Sequence, residues 1–343
     1  MASTADPIDY FVEDMAYHGR SERTREAYER VLLDFHEYLS TGRSRSDDQA
    51  VPIEEATHRD CLAWIHDRRD DLAESTIASY ASYLNRFYSY MVAVGEFEQN
   101  PMTLVMEEMD ERIDTDPSRR DVSLAEMQEF VGGIRHPLDR AVILTLLKTG
   151  MRAGELCNLD VRDLNVDGLA VDTGEIRPEL RGRPYSIFVP AAPAAGAEYN
   201  GERRQESNKR KRDTVIPVDD ELRETLERWL AIRPDVRSAA DSLFVSTDRG
   251  WGQRLTGSGV HHLVRQHAEA VGWYEPAADA GTNVTPHYFR HFFTTHLRDR
   301  TGDRGVVKYL RGDVASDVID TYTHNWGDRI REVYEENIYR ILD

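Results

Sequence analysis

Lysine is scarce in this chain. Only Lys148, Lys209, Lys211 and Lys308 stand among its 43 basic residues, against 62 acids and a net charge of −19. Taken alone, that balance argues against a nucleic-acid partner, because an acidic surface repels a polyanion. Abundant carboxylates with so little lysine instead describe a protein at work in concentrated salt, where screening over a few ångströms removes long-range repulsion. A halophilic cytoplasm is the expectation, and local positive charge must decide about DNA. Cysteine is nearly absent too: Cys61 and Cys157 lie far apart with no CxxC spacing, so buried free thiols in a reducing compartment are expected. No apolar run approaches the ~20 residues of a membrane helix. The opening M-A-S-T-A-D-P-I-D has neither a basic start nor an apolar core, so no signal peptide is expected. Glycine-rich phosphate cradles, tandem repeats and cysteine/histidine spacings suited to zinc are missing as well, and no metal or cofactor is expected.

What the chain does have is length for two domains, at 343 residues. Residues 1–105 read as a helical bundle. Ser21 caps a helix whose apolar face is Tyr28, Leu32, Phe35 and Leu39, and Thr57 with Asp60 opens another carrying Cys61, Trp64 and Ile65. A further helix from about Glu74 places Ile77, Tyr80, Leu84, Phe87 and Met91 at helical spacing. These stripes are core. The arginines off them (Arg20, Arg23, Arg25, Arg30, Arg68, Arg69 and Arg86) are either solvated surface or phosphate contacts. Residues 101–122 are acidic, lack clear periodicity and hold two prolines. They read as a linker, giving expected domains at 1–105 and 123–343 with 106–122 between them.

Beyond the linker, Ser123 caps a helix to about Gly133, and a stronger one from His136 to Thr149 ends at Gly150. Strands are expected at Leu169–Ile176, Tyr185–Val189, Thr214–Val218 and Ser242–Ser246, and helices at Asp219–Ile232 and Ser258–Gly272. Ahead of the third strand lies a loop of small residues, then R-R-Q-E-S-N-K-R-K-R. That window, 203–212, holds six basic residues and one acid. A solvated charge run is the plain reading of such a cluster. In so acidic a chain, Arg203, Arg204, Arg210 and Arg212 are also candidate DNA contacts. A closing helix is expected over Asp328–Leu342, with Ile330, Val333, Ile338 and Ile341 as its apolar stripe for docking on its own subunit or a neighbour's.

The densest chemistry lies between Thr285 and Asn325. Thr285 and Pro286 start a helix, His287 and Arg290 sit three apart on one of its faces, and Tyr322 follows 32 residues after Arg290. A proton carrier, a fixed cation and a phenol can together move a phosphoryl group.

Each candidate is weak alone; order and context lift them. M-R-A-G-E-L after a helix, K-R-K-R-D-T-V-I-P entering a strand, H-Y-F-R-H on a helix and then Y-T-H resemble the tyrosine recombinase family, the lambda-integrase and Xer-like enzymes. The resemblance covers nearly the whole chain. It implies a mainly α protein with a small β-sheet in the catalytic domain: a helical, SAM-like core-binding domain, then an α+β catalytic domain. It also implies a site-specific recombinase on double-stranded DNA, working as a tetramer in which the C-terminal helix reaches a neighbouring subunit. Carried over by motif, Arg152 matches the first catalytic arginine and Glu155 its acidic companion. Lys209, eight residues before Pro217, matches the hairpin lysine, with Lys211 a close rival; His287 and Arg290 match HxxR, and Tyr322 the nucleophile. The roles this implies are physically sensible. Guanidinium forks suit the nonbridging oxygens of a phosphate, and a phenol with a free pKa of about 10 needs a base beside it.

One position departs from the pattern. Nine residues before Tyr322 the family usually has His or Trp; here L-R-G-D puts Asp313 there. An ionised carboxylate donates no hydrogen bond and repels phosphate. Either Asp313 is protonated, or points away, or orients Arg311 or His287, or the site is degraded. The last option keeps open a DNA-binding accessory protein without catalysis, beside a type IB-like topoisomerase sharing the same chemistry.

Overall fold

A computed structural model describes residues 6–41, 50–111, 119–166, 176–276, 281–313 and 326–342. The chain divides into two compact units, Met1–Pro117 and Ser118–Asp343.

The first unit is helical throughout its described residues: α1 (Pro7–Tyr17), α2 (Glu22–Ser40), α3 (His58–Arg68), α4 (Glu74–Ala93) and α5 (Met102–Glu108). Local chemistry sets the helix starts. Ser21 accepts from the Thr24 amide, and Thr57 and Asp60 form a reciprocal capping box. The apolar stripes meet in one core, where Phe11 and Phe35 set ring edges against Phe87 and Trp64. The stretch read as linker begins instead with a helix. Met102, Val105 and Met109 are buried, and α5 packs on α3 and α4. Two arginines left open by the sequence have protein partners here. Arg68 grips Asp34 through Nε and Nη2, and Arg69 pairs with Glu111 at 2.5 Å.

The second unit is built around α7 (Pro137–Thr149), buried on nearly every face and packed against α9 (Asp220–Ile232) and α11 (Pro286–Thr301). α6 (Leu124–Gly133) precedes it with a Ser123–Glu126 capping box, and α8 (Ala153–Cys157) follows it closely. A three-stranded antiparallel sheet runs β1 (Leu164–Asn165), β2 (Ser186–Val189), β5 (Thr214–Pro217), with Ile187 opposite both Leu164 and Ile216. Between β2 and β5 lies a second hairpin, β3 (Glu198–Tyr199) with β4 (Glu202–Arg203), which runs from the small-residue loop into the basic window. α10 (Gly257–Ala270), α12 (Arg304–Arg311) and α13 (Trp326–Asn337) complete the unit. The expectation of helices around a small sheet holds. The strand expected at Ser242–Ser246 reduces to single bridges, Asp160 with Ser242 and Val245 with Arg254. The one expected at Leu169–Ile176 lies almost wholly outside the described residues.

The closing helix is shorter than its apolar stripe suggested. α13 ends at Asn337, and the chain then runs on without helix over 338–342. Ile330 and Ile341 are buried against the core of this same unit. Lys148, fully buried, joins Asp219 at 2.6 Å and also reaches Glu221 and the Tyr339 carbonyl. Glu221 in turn accepts from the Ile341 and Leu342 amides. Both cysteines are buried and free, their thiols pushed up chiefly by burial. Among the described residues, no helix is long and apolar enough to cross a membrane, and no His, Cys, Asp or Glu cluster is arranged to hold a metal.

Candidate active site

The site begins where α7 stops. Gly150 caps that helix at φ 61°, in the left-handed region that glycine tolerates, and a Cβ there would collide with the Phe293 ring. The turn delivers Arg152 to the start of α8. Glu155, fully buried, accepts from the Arg152 backbone amide and from its Nη1, both at 3.0 Å. The same carboxylate takes Nη2 of Arg210 at 3.1 Å.

Arg290 comes from α11 and is buried to 2% exposure. Its Nη1 donates to the Gly150 carbonyl at 2.6 Å, and both terminal nitrogens reach the Arg311 carbonyl. Burial first, then the charges of Arg152 and Arg311, pull its guanidinium down to about 9, so it is still a cation at neutral pH. Arg152 and Arg290 thus arrive from sequence-distant elements and converge.

What they converge on is Asp313. Its Oδ1 accepts from Nη2 of Arg290 at 2.9 Å and from Nη2 of Arg152 at 3.3 Å, while Oδ2 lies 3.0 Å from Nε of Arg311. The carboxylate does not point away. Its contact with Arg311 matches one of the expected arrangements, but it is also bound to both catalytic candidates.

His287 stands in the first turn of α11, and its side chain reaches solvent. The walls of the site, then Arg119, Arg290, Arg152 and Arg311, still hold its pKa below the usual 6.5. Because the ring touches water, the four cations are the firmer cause. The imidazole is therefore neutral at pH 7 and able to accept a proton. Arg119 was missed by sequence reasoning. Its neighbour Arg120 is tied down by bonds to the Gly281 and Thr282 carbonyls and by the Tyr288 hydroxyl on its own carbonyl. The Arg-Arg doublet just ahead of the Ser123 cap was the available signal.

The basic window 203–212 separates into inward and outward residues. Arg204 is buried and forked on Asp160 at 2.8 and 3.1 Å; Arg210 is buried on Glu155 and the Leu310 carbonyl. Neither can reach a phosphate from these positions, which corrects their reading as DNA contacts. A guanidinium sealed in protein must be neutralised there, and both are. Arg203, Lys209 and Lys211 are exposed, and Arg212 is half-buried over the Tyr309 ring at 4.8 Å. The Lys211 amide donates to the Gly312 carbonyl at 3.1 Å, so this loop is fastened one residue from Asp313. Tyr322 lies outside the described residues.

Residues 125–327 match the model of the phage integrase family, and residues 8–95 that of the phage integrase N-terminal SAM-like domain. The tyrosine recombinase XerC of Pelotomaculum thermopropionicum is 26% identical over 332 residues, 92% of each chain. Among solved structures, the Tn1549 transposon integrase in complex with transposon right end DNA superposes with a TM-score of 0.61 at 18% identity, over 96% of this chain and 98% of that one. A lambda integrase tetramer bound to a Holliday junction gives 0.60 at 15% identity, over 91% and 77%.

Proposed function

We propose that this chain, which belongs to the phage integrase family and is a site-specific DNA recombinase, cuts and rejoins DNA through a phosphotyrosyl ester formed by Tyr322. The phenol oxygen attacks the scissile phosphorus, and the bond from phosphorus to the 5′-oxygen breaks, leaving a 3′-phosphotyrosine and a 5′-hydroxyl. His287, neutral at pH 7, takes the phenol proton or orients the phenol. Lys209, or Lys211 beside it, gives a proton to the departing oxygen. Arg152 and Arg290 hold the nonbridging oxygens, where their charge counts most as negative charge builds in the transition state. Glu155 positions Arg152. Religation by a 5′-hydroxyl reverses each step, so the bond energy is kept in the ester.

One observation carries this assignment: two guanidiniums from sequence-distant positions, one just ahead of α8 and one on α11, donate to a single anionic oxygen. A phosphodiester offers the same kind of acceptor. Incubation with a nicked suicide duplex tests it. A covalent protein–DNA band that vanishes in Tyr322→Phe is the expected result, and stable binding without such a band would favour a non-catalytic DNA-binding role, the reading that Asp313 alone supports.

Assembly and setting belong to the same proposal. The likeness to a lambda integrase tetramer bound to a Holliday junction supports a tetramer on DNA. The carboxylate excess with four lysines supports work in a salt-rich cytoplasm. Loss of folding as KCl is withdrawn is the expected outcome, and full stability at low salt would count against it.

A further inference from the structure

The donors of the arginine pair can be counted. On Arg152, Nη1 is taken by Glu155; on Arg290, Nη1 is taken by the Gly150 and Arg311 carbonyls. These acceptors already fix both side chains. The other terminal nitrogen of each, Nη2, donates to the same atom, Oδ1 of Asp313, and that of Arg290 is shared with the Arg311 carbonyl. Asp313 is therefore not needed to hold either arginine in place. It occupies the donors that a phosphate would use.

The carboxylate is also placed to leave. Its side chain is 28% exposed, as open as those of Arg152 and Arg311 at 29% each. Its backbone, by contrast, is pinned. The Asp313 amide donates to the Lys308 carbonyl at 3.0 Å, and Gly312 before it is left-handed at φ 68°, where a Cβ would strike Arg210. Only side-chain rotation is then required to free the site, and Arg311, already paired with Oδ2, offers the carboxylate a cation to stay with.

We propose that Asp313 is an autoinhibitory counter-anion: its carboxylate sits in the seat of a nonbridging phosphate oxygen, and DNA must displace it to engage Arg152 and Arg290. The proposal rests on the reading of those arginines as the phosphate clamp. Carboxylate and phosphate are like charges competing for the same donors, so occupancy by one disfavours the other. The carboxylate offsets part of the charge of the three guanidiniums while no DNA is bound and competes with non-specific anions for the site.

The test is anion binding by the full chain, with inorganic phosphate and orthovanadate as probes, at a fixed KCl concentration at which the chain is folded. Calorimetry on Asp313→Asn is expected to show phosphate binding at least tenfold tighter than in the unchanged protein, and Asp313→Ala the same direction. The gain should disappear when Arg152→Gln is added to Asp313→Asn. Circular dichroism confirms that each variant is folded; a misfolded Asn variant leaves the Ala variant to decide. Unchanged or weaker phosphate binding in the folded variants would overturn the proposal, because a merely positioning carboxylate would lose affinity when neutralised. A gain surviving Arg152→Gln would overturn it too, by placing the anion elsewhere. Covalent-band formation through Tyr322 is read separately, so loss of the enzymatic reading and loss of this one give different results.

Discussion

The guanidinium of Arg290 donates to the carbonyl oxygen of Gly150 at 2.6 Å, fastening the HxxR helix to the turn that presents Arg152. One glycine thereby serves as helix cap, as anchor for one arginine and as the bend that aims the other. It can do so only without a side chain, since φ is 61° and Phe293 fills the space a Cβ would take. Gly150→Ala is expected to lower unfolding free energy by about 2–4 kcal/mol, combining left-handed strain with overpacking. Urea unfolding at constant KCl measures it. A change below about 0.5 kcal/mol would mean that the turn relaxes freely. Covalent-complex formation should fall as well, because both arginines move.

His287 gives a pH signature with a definite sign. Burial and the nearby arginines lower its folded pKa below 6.5, whereas the unfolded chain titrates near 6.5. As pH falls through that value, the unfolded state gains a proton that the folded state refuses. Its contribution to stability is thus intact above 6.5 and lost as pH falls through the folded pKa. Urea midpoints should drop between pH 7 and pH 5 by more in the unchanged protein than in His287→Gln. Cleavage of the suicide duplex should stay level down to about pH 6.5 and weaken only in more acid solution. An acid limb centred above pH 7 would contradict a neutral imidazole.

Local signals in the sequence were readable where local chemistry decides. The caps at Ser21, Thr57, Ser123 and Gly150 all stand where their residue types put them, because a cap is satisfied within a few residues. Arg204 and Arg210 were not readable in this way. Their neutralising partners, Asp160 and Glu155, lie 44 and 55 residues away, and a basic window looks the same whether it faces water or protein. The β3–β4 hairpin could have been found: Asn200 and Gly201 have positive φ, and Asn-Gly is the strongest two-residue hairpin signal. Helix α5 could not, since seven residues with two buried positions, Met102 and Val105, carry too little periodicity against an acidic background. The contact of Asp313 with Arg311 is local and was among the options read from the sequence, but its encounter with Arg152 and Arg290, 161 and 23 residues away, is tertiary, which is why sequence left its role open.

Lys148 holds the end of the chain. It is fully buried, with Asp219, Glu221 and the Tyr339 carbonyl around its ammonium, while Tyr334 donates to the Lys148 carbonyl at 3.0 Å. Lys148→Met keeps most of the apolar stem and leaves two half-buried carboxylates facing each other. Breaking a buried ion pair from one side costs about 3–5 kcal/mol. A loss of that order in urea unfolding is expected, together with faster proteolysis of the last residues as Ile341 leaves its socket. A loss under about 1 kcal/mol, with the C-terminus still protected, would show that the apolar contacts suffice to seat it.

The two lysines beside Arg210 can be told apart by the leaving group. Lys209 and Lys211 are both exposed, on either side of an arginine that is buried on Glu155. The residue that protonates the departing 5′-oxygen should lose about 10²–10⁴ in cleavage rate when changed to alanine, the usual contribution of a positioned acid. Replacing that oxygen with sulfur removes the need for a proton, because a thiolate is a far better leaving group than an alkoxide. Lys209→Ala is therefore expected to be slow on an ordinary suicide duplex and restored on one with a 5′-bridging sulfur. Lys211→Ala should show a smaller loss and no selective rescue, as for a lysine that only attracts the phosphate backbone. The reverse pattern would move the acid to Lys211, whose backbone is tied to Gly312. Rescue in neither variant would place the proton donor outside this loop.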